Sequence, residues 1–188
     1  MNINKFFWGI RAFLYKGKFN EILMPSYIGK PTYICNANKI KCGVKVRIYP
    51  GLRAEIVNKN SEIIIGSNVS IGQNVHLVSY NDTLHIDDDV TISGNVLITN
   101  CDHDYKNIDV SILKQPLIPK KTVIGKGTFI GFGSVIQSGT LLGKHCIVGA
   151  NSVVRGEFPD YSVLAGTPAK IIKIYNKKNK EWKLVKNE

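Results

Sequence analysis

The sequence predicts an all-β fold, a parallel β-helix whose coils have three flat faces, and three observations carry that prediction. Aliphatic residues recur in steps of six: Ile65, Ile71, Leu77, then Ile86, Ile92, Ile98, then Ile124, Ile130, Ile136, Leu142, Val148, Val154. Four residues after nine of these twelve comes a small or β-branched side chain: Val69, Val75, Val90, Val96, Thr128, Ser134, Thr140, Cys146 and Ser152. Within this stretch the step is broken between Leu77 and Ile86 and between Ile98 and Ile124. A step of six fits neither a 3.6-residue helix nor a simple alternating strand. It fits a solenoid with six residues per face, the aliphatic side chain pointing into the prism and the small one filling space near a corner. Parallel pairing at about 4.8 Å stacks like residues over like, and each buried Ile or Val offers roughly 1.5–3 kcal/mol before entropy is subtracted. A β-sandwich would show turn signals every ~8–12 residues and no fixed register.

Residues 1–39 read as an amphipathic helix and a lead-in. Ile3, Phe6, Phe7, Ile10, Phe13 and Leu14 fall at helical spacing, with Lys5, Arg11 and Lys16 off that stripe. The stripe is expected to pack on the open end of the prism; the alternative is peripheral contact of residues 3–14 with an anionic membrane surface. Arg11 interrupts the apolar run Phe6–Ile10 and no small-residue cleavage site follows, which argues against a secretory signal. No segment approaches the roughly 20 apolar residues of a membrane span. The expectation is a cytoplasmic protein, able to sit at the inner face of the membrane.

Residues 40–174 hold the coils, opened by a weaker series at Ile40, Val46 and Leu52. Glycines that follow aliphatic positions, such as Gly66, Gly72, Gly125 and Gly143, are expected to permit the turn backbone. The long step after Leu77 requires residues 79–84 to bulge. Residues 99–123 leave the prism as one protruding loop, and a loop of that length in a compact solenoid is usually functional. It departs from the face carrying Leu77 and Ile98, so its first residues should lie over the bulge. Residues 175–188 form a basic tail with Trp182, expected to cross a neighbouring coil or subunit, or to hang loose.

At 188 residues there is room for a single domain. The formal net charge of +11 calls for an anionic partner: nucleic acid, an acidic membrane or a phosphorylated small molecule. No aromatic-basic RNA-recognition motif is present, so nucleic acid is not expected. Cys35, Cys42, Cys101 and Cys146 form no CxxC pair, which reads as free thiols.

The loop opens with Thr99-Asn100-Cys101-Asp102-His103-Asp104-Tyr105. Asp102 and Asp104 flank His103 and can orient an imidazole whose unperturbed pKa, near 6.5, suits a general base. A surface histidine in a polar loop explains the same spacing equally well. His76 and His145 fall at outward hexad positions and His85 in the bulge, all three reading as structural or solvent-facing. Zinc needs three converging ligands, and His103 has no histidine nearer than His85, so no metal site is expected.

These residues resemble the hexapeptide-repeat acyltransferases, most closely those that O-acetylate bacterial lipopolysaccharide or capsule polysaccharides. The run Ile98-Thr99-Asn100-Cys101-Asp102-His103-Asp104-Tyr105 is similar to that branch's histidine-bearing loop, and Val123 to Gly131 to the coil resuming after it. Val148 to Val154, Phe158 to Ile172 (with Ala165-Gly166-Thr167-Pro168-Ala169-Lys170) and Tyr175 to Trp182 resemble the family's C-terminal signature. The resemblance spans about residues 40–182 and implies a left-handed β-helix and a homotrimer with active sites between neighbouring prisms. It implies an acetyl-CoA-dependent O-acetyltransferase acting on a sugar or lipid-linked glycan of O-antigen or capsule, with His103 as general base. It places acetyl-CoA against Phe132, Ala150, Arg155, Lys170 and Lys173. Asp102, Asp104 and Tyr105, with Asn81 and Asp82 below, stand as acceptor contacts. Phe129 stands where relatives often have Trp, and Ser138-Gly139 where many have Pro-Gly. The Asn that some sugar acetyltransferases place beneath the histidine has no direct counterpart in Val78 to Asp82. Alternatives are an N-acetyltransferase on an amino sugar, on the same scaffold, and a non-catalytic β-helix binding scaffold.

Overall fold

A computed structural model describes residues 3–185, without the side chain of Ile3. The part of the apolar stripe at Ile3 and the end of the basic tail, 186–188, lie outside the described residues. Three sheets of seven, nine and six strands, parallel except for the last two strands of the nine-stranded one, form the faces of a three-sided column. On the first face Ile65, Ile86, Ile124 and Leu142 stack in register. On the second Ile71, Ile92, Ile130 and Val148 do so, and on the third Leu77, Ile98, Ile136 and Val154. All twelve are buried, as are the small residues four positions on, from Val69 to Ser152.

The column begins earlier than residue 40. Ile22, Ile28 and Ile34 step by six and lie over Cys42, Ile48 and Ala54, which in turn lie over Ile65, Ile71 and Leu77. The lead-in is therefore a coil. Ile40, Val46 and Leu52 are buried but do not form the inward series: Ile40 pairs with Ile63, while Val46 and Leu52 fill the corner position. Cys42 and Ala54 stand where an aliphatic residue would have revealed the register.

The glycines after the aliphatic positions act by absence of bulk, not by backbone freedom. A Cβ on Gly125 would stand 2.6 Å from the Gly143 backbone, and one on Gly66 2.6 Å from the Asp88 nitrogen. Neither lies in the left-handed region. That conformation falls two residues later in each hexad, at Asn68, Asn74, Asp89, Asn95, His145 and Asn151, with Gly127 and Gly133 in the equivalent places. Asn and Asp tolerate it because their short polar side chains bond locally.

Helix α1 (Ile3–Tyr15) lies against the first coil, but not by the expected stripe. Trp8 packs on Tyr27 and Tyr49, with ring centroids 5.8 and 5.6 Å apart, and Ala12 is fully buried. Arg11 Nη1 donates to the Ile28 carbonyl at 3.0 Å. The coil end offers aromatic rings and a main-chain carbonyl, and these select an indole and a guanidinium. Phe6, Phe7, Ile10, Phe13 and Leu14 face outward and are exposed.

At the other end Ala169–Asn176 turns back antiparallel on Ser162–Gly166, and Glu181–Leu184 adds antiparallel to it. The tail thus extends the second face of its own chain. Tyr175 sits between Tyr161 and Trp182, and Lys177 Nζ lies 4.5 Å from the Tyr161 ring centre.

Candidate active site

The bulge is a corner, Tyr80–Asp82, between strands His76–Ser79 and Thr83–Ile86. The coil below is lengthened likewise, Ile56 pairing with Ser79 and Ile63 with Leu84. The next coil departs at this corner. Thr99 pairs with Val78, and Asn100 Oδ1 accepts from the Tyr80 N–H at 2.7 Å, so the loop rises over the bulge as its spacing requires. The mouth is closed by the Lys120 N–H donating to the Asn100 carbonyl at 2.7 Å and Thr122 Oγ1 donating to the Thr99 carbonyl at 3.1 Å. Asn100 is fully buried. Its Nδ2 and the Ser138 Oγ are buried without a hydrogen-bond partner among the described residues.

The loop is not irregular throughout. Cys101–His103 pairs antiparallel with Leu117–Pro119, making a two-stranded arm. Its outer part is tied by Gln115, whose Nε2 donates to the Asn107 and Val110 carbonyls at 2.9 and 2.8 Å. The arm bounds a cleft of about 480 Å³ lined by Asp102, His103, Asp104, Tyr105, Lys106, Ile118, Lys120 and Arg155. Asp102 accepts from Lys120 Nζ at 3.0 Å and from Arg155 Nη2. That ion pair straps the arm to the second coil above it, across 53 residues of sequence. Partial burial pushes the Asp102 carboxyl up. Ser138, Lys120 and Arg155 outweigh it and hold the group below the usual carboxylate range. Ser138 acts there by proximity, without a geometrically complete hydrogen bond.

His103 is exposed, and no hydrogen bond reaches its ring among the described residues. Its flanking carboxylates do not orient it. Successive side chains on a strand point to opposite sides; Asp102 is taken by the two cations, and Asp104 Oδ1 accepts from the Lys106 N–H at 3.1 Å. The other histidines have structural surroundings or none: His76 Nε2 lies 3.0 Å from Glu55 Oε1, and the His145 ring stacks on Tyr161.

Of the candidate residues, His103, Asp102, Asp104, Tyr105 and Arg155 come together in this cleft. Asn81 and Asp82 lie at the corner below it, where Asn81 Oδ1 accepts from Asn60 Nδ2 and Asp82 Oδ1 from the Thr83 N–H. Phe132 and Ala150 occupy a different corner, between the second and third faces, where the Asn151 N–H donates to the Phe132 carbonyl. Lys170 and Lys173 are exposed on the Ala169–Asn176 strand. Lys120 was not singled out from sequence, although it is the first cation after the arm's returning strand. A hollow of about 520 Å³ on the first face, between Lys121 and Phe158, offers Glu157 as its one carboxylate and no histidine. Among the described residues no group of three or more His, Cys, Asp or Glu could hold a metal ion, and no helix is long and apolar enough to cross a membrane.

Residues 121–156 match the family model for bacterial transferase hexapeptide repeats (six repeats). The chain is 35% identical over 161 residues to WbbJ of Escherichia coli (strain K12), assigned to lipopolysaccharide biosynthesis as an O-acetyl transferase. The match spans 81% of this chain and 80% of that protein. Among solved structures it is similar in fold to AntD, an N-acyltransferase from Bacillus cereus bound to dTDP and 3-hydroxybutyryl-CoA, with a TM-score of 0.77 and 22% identity over 90% of each chain. It is also similar to a galactoside acetyltransferase in complex with coenzyme A, with a TM-score of 0.64 and 21% identity over 96% of this chain and 86% of that one.

Proposed function

Because the chain belongs to the bacterial hexapeptide-repeat transferases, we propose that it is an acyltransferase moving an acetyl group from acetyl-CoA to a sugar hydroxyl of a surface polysaccharide or its lipid-linked precursor. The observation that carries this reading is the arm holding an unengaged His103 ring over a cleft beside Lys120 and Arg155. A base must be free to take a proton, and this imidazole faces the cleft with no hydrogen-bond partner on its ring among the described residues.

In this reading His103 takes the acceptor hydroxyl proton as that oxygen bonds to the acyl carbon. The carbon–sulfur bond breaks, and the proton returns to the departing thiolate, giving the acetyl ester and CoA. Tyr105, 75% exposed, offers a ring face for the sugar, with Asp102, Asp104, Asn81 and Asp82 as polar contacts. Phe132 and Ala150 line the thioester arm's path, while Arg155, Lys170 and Lys173 supply cations for the CoA phosphates. Phe132 and Ala150 stand at another corner of the prism from His103, so a site using both draws on two copies, as a homotrimer provides.

The test is thiol release from acetyl-CoA in the presence of candidate glycans, wild type against His103→Ala. A loss of roughly 10²–10⁴ in turnover with an unchanged circular dichroism spectrum is expected. Undiminished turnover would remove His103 from the mechanism. Faster turnover on amino sugars than on their hydroxyl counterparts would replace O- with N-acetylation.

A further inference from the structure

The outward side of α1 is an uncovered apolar strip. At 3.6 residues per turn, Phe13, Phe6, Ile10, Leu14 and Phe7 span a sector of about 120° that contains no charged side chain. All five are exposed, Phe13 by 63% and Leu14 by 66%. The helix is already anchored by its other side through Trp8, Ala12 and Arg11, so the strip does not await packing within its own chain. A soluble surface does not usually present so many large apolar side chains side by side.

Charge selects the occupant. Residues 1–48 carry nine Lys or Arg (Lys5, Arg11, Lys16, Lys18 and five more in the first two coils) against one acid, Glu21. This quarter of the chain holds +8 of the net +11. A second copy meeting this end by its own equivalent would bring cation against cation at close range. An anionic bilayer supplies what both features need, acyl chains for the strip and headgroup charge for the lysines.

We propose that α1 docks the protein on an anionic lipid surface, with Phe6, Phe7, Ile10, Phe13 and Leu14 seated in the interface and Lys16 and Lys18 among the headgroups. The arm leaves the fourth coil, three coil spacings from the first, so the cleft stands roughly 15 Å further from the surface than the first coil where the axis is upright. Docking stands on the helix alone and does not depend on the acetyl-transfer reading.

The experiment is co-sedimentation of the full chain with vesicles of phosphatidylcholine alone or with about 30% phosphatidylglycerol. Wild type is expected to bind the anionic vesicles at least about tenfold more tightly than the neutral ones. Phe7→Glu/Phe13→Glu and Lys16→Glu/Lys18→Glu should each lose about tenfold or more, with unchanged circular dichroism. Failure of wild type to bind, or binding unaltered by the phenylalanine pair, overturns the proposal. So does a molecular mass in solution that falls when that pair is introduced, since the strip would then be covered by another copy. Binding is read without substrate, so its outcome is independent of the His103 assay.

Discussion

Asp102 is the residue on which the geometry of the arm turns. Its carboxylate is held by Lys120 from the arm's returning segment and by Arg155 from the second coil above. Its folded pKa lies below the ordinary carboxylate value, so the stability it contributes is complete above the unfolded pKa, near 3.9. That contribution is lost as pH falls through the lower folded value. Asp102→Asn is therefore expected to cost about 0.5–1 kcal/mol at pH 7, a Tm lower by roughly 1–4 °C for a domain of this size. The two proteins should converge as the pH falls through that lower folded value. Thermal melts across pH 2–8 check this, and a constant gap down to the lowest pH would show that the charge is not what Asp102 contributes. The sequence showed the acid–His–acid run but not its use. The spacing suggested carboxylates orienting His103, whereas Arg155, 53 residues on, claims one of them and the Lys106 N–H binds the other. A pairing at that separation exists only once the coils are stacked, which no local pattern records.

At the scale of the hexad, the sequence was legible wherever the inward position was aliphatic and opaque where it was not. From Ile65 onward the register could be read directly. In the second coil Cys42 and Ala54 fit the prism yet carry no signal, and the regular steps Ile22, Ile28 and Ile34 went unread beside them. The glycines after aliphatic positions serve close stacking rather than backbone freedom, and added bulk there acts with the opposite sign from added bulk in open space. Gly125→Ala adds a Cβ 2.6 Å from a neighbouring coil's backbone and is expected to destabilise by about 1–3 kcal/mol or more. Gly9→Ala, in α1 with nothing within 4 Å of the added carbon, should stabilise by about 0.5–1 kcal/mol. Denaturant unfolding of both variants is the check. An innocuous Gly125→Ala would mean that the coils part readily, contrary to the close stacking that excludes a methyl group here.

Across the whole molecule, the two ends of the column are finished differently. The first coil is covered by a helix that keeps its greasiest side outward, and the last by antiparallel strands that continue one face. Helical periodicity foresaw the helix on the open end but not which side of it packs, nor the closing strands, because these depend on what the terminal coil leaves uncovered. The same scale decides whether one chain suffices for catalysis. The arm leaves between the third and first faces, while Phe132 and Ala150 stand between the second and third, so the width of a face separates them in one copy. If sites are shared between neighbours in a trimer, as proposed, His103→Ala and Ala150→Trp damage opposite contributions to the same site. Each variant alone is expected to be inactive. Unfolded together in equal amounts and refolded, random trimers should recover about a quarter of wild-type turnover, because every mixed trimer holds one site with both contributions intact. A single-chain site yields no recovery at any mixing ratio, since no chain then carries both residues. The recovered fraction thus measures, without a bound ligand, whether the cleft beside His103 is completed by another copy.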